Sequence, residues 1–379
     1  MAKKNIFKLL SFITLALLTS CIREEAPNAE CDIIAVKTSW LEENKGILSG
    51  KPIITNTAVR FYVNEETSIS DLKELDPQFE LTPGAQISSL RTINENGERG
   101  IYMLYHTTSE DGNWCKVYTI SFTKQSVIDT DAVFSFEHFA ADKKYTVWYE
   151  EDANGTRLDW WATANAGFNM SGLGKTPEDF PTSIDTNGVK GNCVKLTTRS
   201  TGSFGKMMKM PIAPGNIFIG EFITANATKK PLEATRFGLT IAPSKPVSLT
   251  GYYKYEAGEV FTNKAMEEIA DRRDTCAIYS VLYEVDPNNV VTLDGSNVLS
   301  SDRIVLVAQL ENPGEESEWT AFEIPYKEVN GKVFDSEKLA NGEYAITVVA
   351  TSSKGGDVFE GAVGSTLHID EFKINWDNK

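Results

Sequence analysis

Two aromatic clusters with polar neighbours are the residues of this chain whose types and spacing could do chemistry. Trp160 and Trp161 follow a polar stretch, Glu150 to Asp159, and precede Asn165 and Asn169. Tyr252, Tyr253 and Tyr255 surround Lys254. An aromatic ring is a flat apolar plate, and an amide, carboxylate or ammonium beside it supplies hydrogen bonds. That combination suits a ligand with apolar C–H faces and a rim of hydroxyls, as a sugar has. Successive side chains on a strand point to opposite faces. One of the two tryptophans is therefore expected to face away from the core, with Asn165 beside it. The same alternation puts Tyr253 and Tyr255 on one face and Tyr252 with Lys254 on the other. One pair belongs to the core, and the other is placed to line a ligand face. The competing reading of both clusters is ordinary packing.

Acids form the third candidate. Asp357, Glu360, Asp370 and Glu371 gather near the C-terminus. Two carboxylates at the right separation hydrolyse glycosidic bonds, one as acid and one as nucleophile or base. An oxygen-rich loop of the same residues would instead bind calcium, the one cofactor the sequence leaves open. With 53 acids in the chain, a solvated loop of this kind also arises by chance. His106, His138 and His368 share no metal spacing and read as structural. Cys31, Cys115, Cys193 and Cys276 match no zinc or redox motif, so unpaired thiols are expected. Any bridges would be Cys31–Cys115 and Cys193–Cys276. Gly172-Leu173-Gly174-Lys175-Thr176 ends like a phosphate-binding loop, but Asn169 stands where its first glycine is required, so it reads as a turn.

The elements that must position these residues are strands. Residues 31–125 carry short alternating runs, among them Asp32 to Val36, Val59 to Val63, Tyr102 to His106 and Lys116 to Phe122. Turn signals such as Thr82-Pro83-Gly84 separate them. About seven strands in this length suggest an immunoglobulin-like sandwich. Residues 126–132 read as a polar linker. From 133 to 376 the clearest runs include Val194 to Thr198, Ala277 to Tyr283, Ile304 to Leu310, Glu343 to Thr351 and Leu367 to Ile374. Only Asn263 to Asp274 has a helical pattern, through Ala265, Met266 and Ile269. The fold class is all-β, a smaller sandwich followed by a larger jelly roll.

The first twenty residues have another purpose. Lys3, Lys4 and Lys8 precede a short apolar run, Phe12 to Leu18, too short to span a bilayer, which reads as a cleaved export signal. Leu18-Thr19-Ser20-Cys21 resembles a bacterial lipoprotein box. The resemblance implies that Cys21 becomes the lipidated first residue, with 21–30 as a tether. Ile22-Arg23-Glu24-Glu25 is similar to the export tag of surface lipoproteins in Gram-negative gut anaerobes. That likeness implies an outer-membrane protein facing the medium. The formal net charge of −16 disfavours nucleic acid and anionic membranes as partners.

Two further resemblances concern the domains. Phe79 to Ala85, Tyr105 to Gly112, Trp114 and Tyr118 are similar to an immunoglobulin-like module of these surface lipoproteins, which implies a spacer. In the larger domain the quoted stretches are Phe134-Ser135-Phe136-Glu137, Trp160 to Gly167, Pro214 to Gly220, Thr235 to Gly238 and Gly251 to Tyr255. A closing run follows, from Ser352-Ser353-Lys354-Gly355-Gly356-Asp357 through Glu360-Gly361-Ala362 and Gly364 to Leu367, then Asp370-Glu371. Together they resemble the family called the putative carbohydrate metabolism domain. The name implies a carbohydrate context and no particular reaction. Three functions fit: a surface glycan-binding lipoprotein working with partner proteins of a glycan-uptake system, a glycoside hydrolase, or an adhesin-like structural subunit.

Overall fold

The computed structural model describes residues 26–377, apart from 49–50, 65–66, 91–92, 96–99, 125–126, 142–143, 152–154, 156, 239 and 287–291. Cys21, with the export signal and Arg23-Glu24-Glu25, lies outside the described residues. No described helix is long and apolar enough to cross a membrane.

The N-terminal unit is built on one mixed sheet. Its order is Ile53–Ile54, Ala58–Val63, Cys115–Lys124, Gly100–Thr108, Gln86–Ser89, with Asn94–Glu95 also pairing to Gly100–Thr108. Ala58–Val63 runs parallel to Cys115–Lys124. Against this sheet pack a ribbon, Ile33–Val36 with Phe79–Leu81, and two short helices, Thr38–Glu43 and Ile69–Glu74. The Ser68 hydroxyl caps the second helix by accepting from the Asp71 amide at 3.1 Å. Phe61 and Phe122 stack at 4.7 Å in the core, with Trp40 edge-on to Phe61. The second layer is thus two strands and two helices, where an immunoglobulin sandwich has a full sheet.

The C-terminal unit is a β-sandwich of two antiparallel sheets. The larger runs Leu293–Asp294, Thr235–Phe237, Asn216–Phe222, Tyr344–Thr351, Ala277–Glu284, Ile304–Gln309, Lys327–Glu328. Trp161–Ala162 and Thr240–Ile241 add to it beside Asn216–Phe222 and Tyr344–Thr351. The smaller runs Thr182–Asp185, Cys193–Thr197, Thr366–Trp376, Pro246–Glu256, Glu316–Pro325. Alternation sorts the side chains. On Ala277–Glu284, Ile278 and Leu282 face the smaller sheet, while Tyr279, Val281 and Tyr283 belong to a separate apolar layer on the outer face. The central strands are buried on both faces, which is why they read as unbroken apolar runs.

The helix expected at Asn263 to Asp274 is absent. The Asn263 side chain accepts from the Ala265 and Glu267 amides at 2.9 and 3.0 Å, bonds that compete with a helical ladder. Met266 and Asp271 adopt left-handed φ of 66° and 60°, which a helix cannot accommodate. Short helices instead occupy Asn165–Asn169, Gly202–Met207 and Ser336–Ala340. The polar reading of the linker also changes. Ile128 is buried in the C-terminal core, and Val127 bridges to Ile241. The units touch through Arg60, whose Nη1 donates to the Asn341 carbonyl.

Candidate functional site

Both tryptophans are core residues. Trp160 and Trp161 are 6% and 5% exposed, and both meet the Phe134 ring edge-on. Alternation fails here because the strand is only Trp161–Ala162 and Trp160 precedes it. Asn165 is fully buried and locked: its amide nitrogen donates to the Thr182 carbonyl at 2.8 Å, and its oxygen accepts from the Thr182 amide at 3.1 Å. None of the three is available as an exposed platform.

The tyrosine cluster divides as alternation requires. Tyr253 and Tyr255 are core, and Tyr252 and Lys254 are half-buried on the outer face of the smaller sheet. There Lys254 Nζ sits 4.7 Å from the centroid of Trp319, a ring the sequence reading passed over. The Trp319 indole N–H donates to the Asn187 carbonyl at 3.1 Å, and the His368 edge lies nearby. The ammonium covers the ring that a sugar would need.

The four acids do not meet at one place but fall into two pairs, Asp357 with Glu360 and Asp370 with Glu371. Asp370 is buried and accepts from the Val189 and Lys190 amides at 2.6 and 3.1 Å, holding a loop over the smaller sheet. Glu371 pairs with Lys190 at 2.6 Å, and Glu360 with Arg272 at 3.3 Å. Asp357 alone borders a cavity. Among the described residues no three His, Cys, Asp or Glu side chains gather as a metal site. The thiols of Cys31, Cys115, Cys193 and Cys276 are unbridged.

The cavity is a cleft of about 390 Å³ on the outer face of the larger sheet. This lies within the roughly 300–1,000 Å³ of small-molecule sites. Its floor is Phe218, Phe237, Tyr279 and Val349, the outward residues of four strands. Helix Gly202–Met207 and the following Met208 form one wall, with Phe204 at the mouth, 39% exposed. Turns at 227–232 and 295–300 form others. The loop from Ser353 to Phe359 closes the last side and brings Lys354 and Asp357 to the rim. Desolvation, the largest influence, raises the Asp357 carboxyl above its ordinary value, although the residue stands at the surface. Asp357 is the one acid among the described residues that line the cleft.

A buried polar network fixes that loop. Asp274 Oδ2 accepts from the Ser353 hydroxyl at 2.6 Å, the Ser365 hydroxyl at 2.7 Å and the Ala362 amide at 2.8 Å. Thr198 lies 2.8 Å from Ser352 and 2.5 Å from Ser353, oxygen to oxygen. Ser352 Oγ in turn accepts from the Gly215 amide at 3.0 Å. Gly356 packs so closely on Pro214 that a Cβ would lie 2.5 Å from its Cγ. Only glycine fits there.

Residues 135–375 match the family described as the putative carbohydrate metabolism domain. The chain belongs to the putative carbohydrate metabolism domain family. Two solved structures are similar to it. One is a putative glycoside hydrolase from Bacteroides thetaiotaomicron VPI-5482, 40% identical, with a TM-score of 0.66, over 94% of this chain and all of that one. The other is a putative glycoside hydrolase from Bacteroides vulgatus ATCC 8482, 43% identical, with a TM-score of 0.59, over 64% of this chain and 96% of that one. No curated protein matches. In this putative carbohydrate metabolism domain, four of the stretches that carry the resemblance meet in space. Ala164 and Gly167, Asn216 and Phe218, Phe237, and Asp357 come from separate stretches and line the same cleft. The Phe134 to Glu137 and Gly251 to Tyr255 stretches, and Asp370-Glu371, do not line it.

One carboxylate outside the cleft is also set apart. The Trp161 indole N–H donates to Glu150 Oε1 at 2.7 Å. Burial pushes the Glu150 carboxyl up to about 7 from its ordinary 4.5, against the opposing pull of that bond. The folded state therefore keeps a proton that the unfolded chain releases. The associated stability is present below the unfolded pKa and is lost as pH rises toward 7, by roughly 3 kcal/mol. Glu150→Gln keeps the acceptor and removes the ionisation. Its melting temperature is expected to match the parent at pH 4.5 and exceed it at pH 8. Parallel pH profiles for the two proteins would contradict this assignment.

Proposed function

We propose that the chain is a carbohydrate-binding protein whose site is the cleft on the larger sheet, and that binding proceeds without a two-carboxylate hydrolytic step. The observation that carries the reading is that four distant stretches within the family match meet at that one cleft. Phe204 at the mouth supplies an aromatic face, and Lys354 and Asp357 supply a donor and an acceptor for hydroxyls. Glycoside hydrolysis of the common kind needs a second carboxylate within roughly 5–10 Å of the first. The described lining offers Asp357 alone; Glu360, three residues on and near enough to act on the Asp357 carboxyl, is outside the lining and paired with Arg272. The hydrolase reading stands second, supported by what the two solved relatives are called and by the raised Asp357 carboxyl.

Titration calorimetry of residues 22–379 against a glycan panel tests both. Saturable binding is expected, with no reducing sugar released. Phe204→Ala should weaken it about two- to tenfold, in line with the worth of one aromatic contact. Release of reducing sugar that disappears in Asp357→Asn would replace binding by hydrolysis. Silence across the panel would end the carbohydrate reading of the cleft.

For location, the leader and Cys21 support a lipid anchor on the outer membrane. Cys21→Ala is expected to move the protein out of the membrane fraction. A variant that still sediments with membranes would place the anchor elsewhere.

A further inference from the structure

The depth of the cleft is mostly apolar, which suits an apolar group better than a bare sugar. Its floor is three aromatic rings and a valine. Several of the polar side chains that line it are already engaged within the protein. Asn216 Oδ1 accepts from the Ala164 amide at 2.8 Å. The Ser353 hydroxyl donates to Asp274 at 2.6 Å, and the Thr201 hydroxyl donates to the Met210 carbonyl at 2.6 Å. The Thr351 hydroxyl donates to the Ser353 carbonyl at 3.3 Å. A sugar ring pushed to the floor would lose hydration of most of its hydroxyls, with the Tyr279 hydroxyl and the Gln309 amide as the polar groups left to meet them. At the mouth the pattern reverses, because Lys354 and Asp357 are exposed there. Apolar surface also continues outward past the rim: Leu299 is 45% exposed, and Met207, beside the lining residue Met208, is 72% exposed.

We propose that the cleft takes an amphipathic glycoside, with an alkyl or acyl group on the aromatic floor and the sugar at the Lys354–Asp357 rim. This rests on the carbohydrate reading of the cleft and narrows it to lipid-bearing or acyl-substituted sugars. An apolar chain displaces water from a site where water has few polar partners. Affinity should therefore climb with chain length until the floor is covered.

The test uses methyl, butyl, hexyl and octyl β-D-glucopyranosides, each below its micelle concentration, with 1-octanol as the sugar-free control. Kd is expected to fall about fourfold per methylene from butyl to octyl. Octyl glucoside should bind at least tenfold tighter than 1-octanol. Phe204→Asp and Met208→Asp, both checked for native circular dichroism, should each weaken octyl glucoside more than tenfold. They sit at the mouth and on the wall of the cleft, so two independent positions guard against one failing to fold. A Kd independent of chain length overturns the proposal, yet leaves carbohydrate binding intact if the sugars themselves bind. Octanol binding as tightly as octyl glucoside overturns the proposal and the carbohydrate reading together. No binding by any alkyl glucoside overturns the proposal as well.

Discussion

Trp161→Ala should destabilise the C-terminal sandwich by about 3–5 kcal/mol, the cost of emptying a large buried aromatic site. The ring lies 5.2 Å from both Phe134 and Phe136, and its indole N–H holds the half-buried Glu150. Total stabilities of ~5–15 kcal/mol leave little margin for such a loss. Urea unfolding followed by far-ultraviolet circular dichroism measures it. Any molecules still folded should bind glycan as the parent does, because Trp161 does not line the cleft. A mild effect on stability combined with lost binding would return Trp161 to the role of sugar platform and displace the cleft.

Asp274→Asn should do nearly as much damage by a different route. Oδ2 alone accepts from two hydroxyls and one backbone amide. An amide nitrogen in its place offers hydrogens to groups that are themselves donating. Bonds to a charged acceptor are worth ~1.5–3 kcal/mol each, so a loss of at least about 3 kcal/mol is expected. The injury should be local as well as global. The segment from Ser353 to Ala362 carries Lys354, Asp357 and Phe359, so binding at the cleft should fail below the melting transition. Calorimetric melting with ligand titration at low temperature separates the two effects. A variant with parental melting temperature and parental affinity would show that the loop is held by other contacts.

The fold was largely legible, and the site largely was not. Strands such as Ala277–Glu284 and Tyr344–Thr351 announce themselves because burial on both faces demands unbroken apolar runs. The division of Tyr253 and Tyr255 from Tyr252 and Lys254 follows from period-two geometry in an eleven-residue strand. The same rule misplaced Trp160, which precedes a two-residue strand. The helical pattern of Ala265, Met266 and Ile269 was real as spacing, but the local side-chain bonds of Asn263 outweighed it. The cleft escaped notice because its lining comes from segments as far apart as Ala164 and Phe359. Its one local trace was glycine: Gly355-Gly356 beside Asp357 marks a close backbone approach, here against Pro214. Among the acids weighed from sequence, Asp357 alone was brought to the cleft.

The unbridged cysteines make the two units separately observable. Cys31 is buried in the N-terminal unit, Cys193 and Cys276 in the sandwich, and Cys115 is exposed. Burial also pushes the thiols of Cys193 and Cys276 up to about 12, far from the thiolate form that alkylating reagents attack. In native buffer, within residues 26–377, a maleimide should modify Cys115 quickly. The buried three should be modified only as fast as the structure around each one opens. Mass spectrometry of the tryptic peptides then yields opening free energies at three sites from one sample. If the contact of Arg60 with Asn341 fastens the units together, Cys31 will react in step with Cys193 and Cys276. If each core opens by itself, the rates will part.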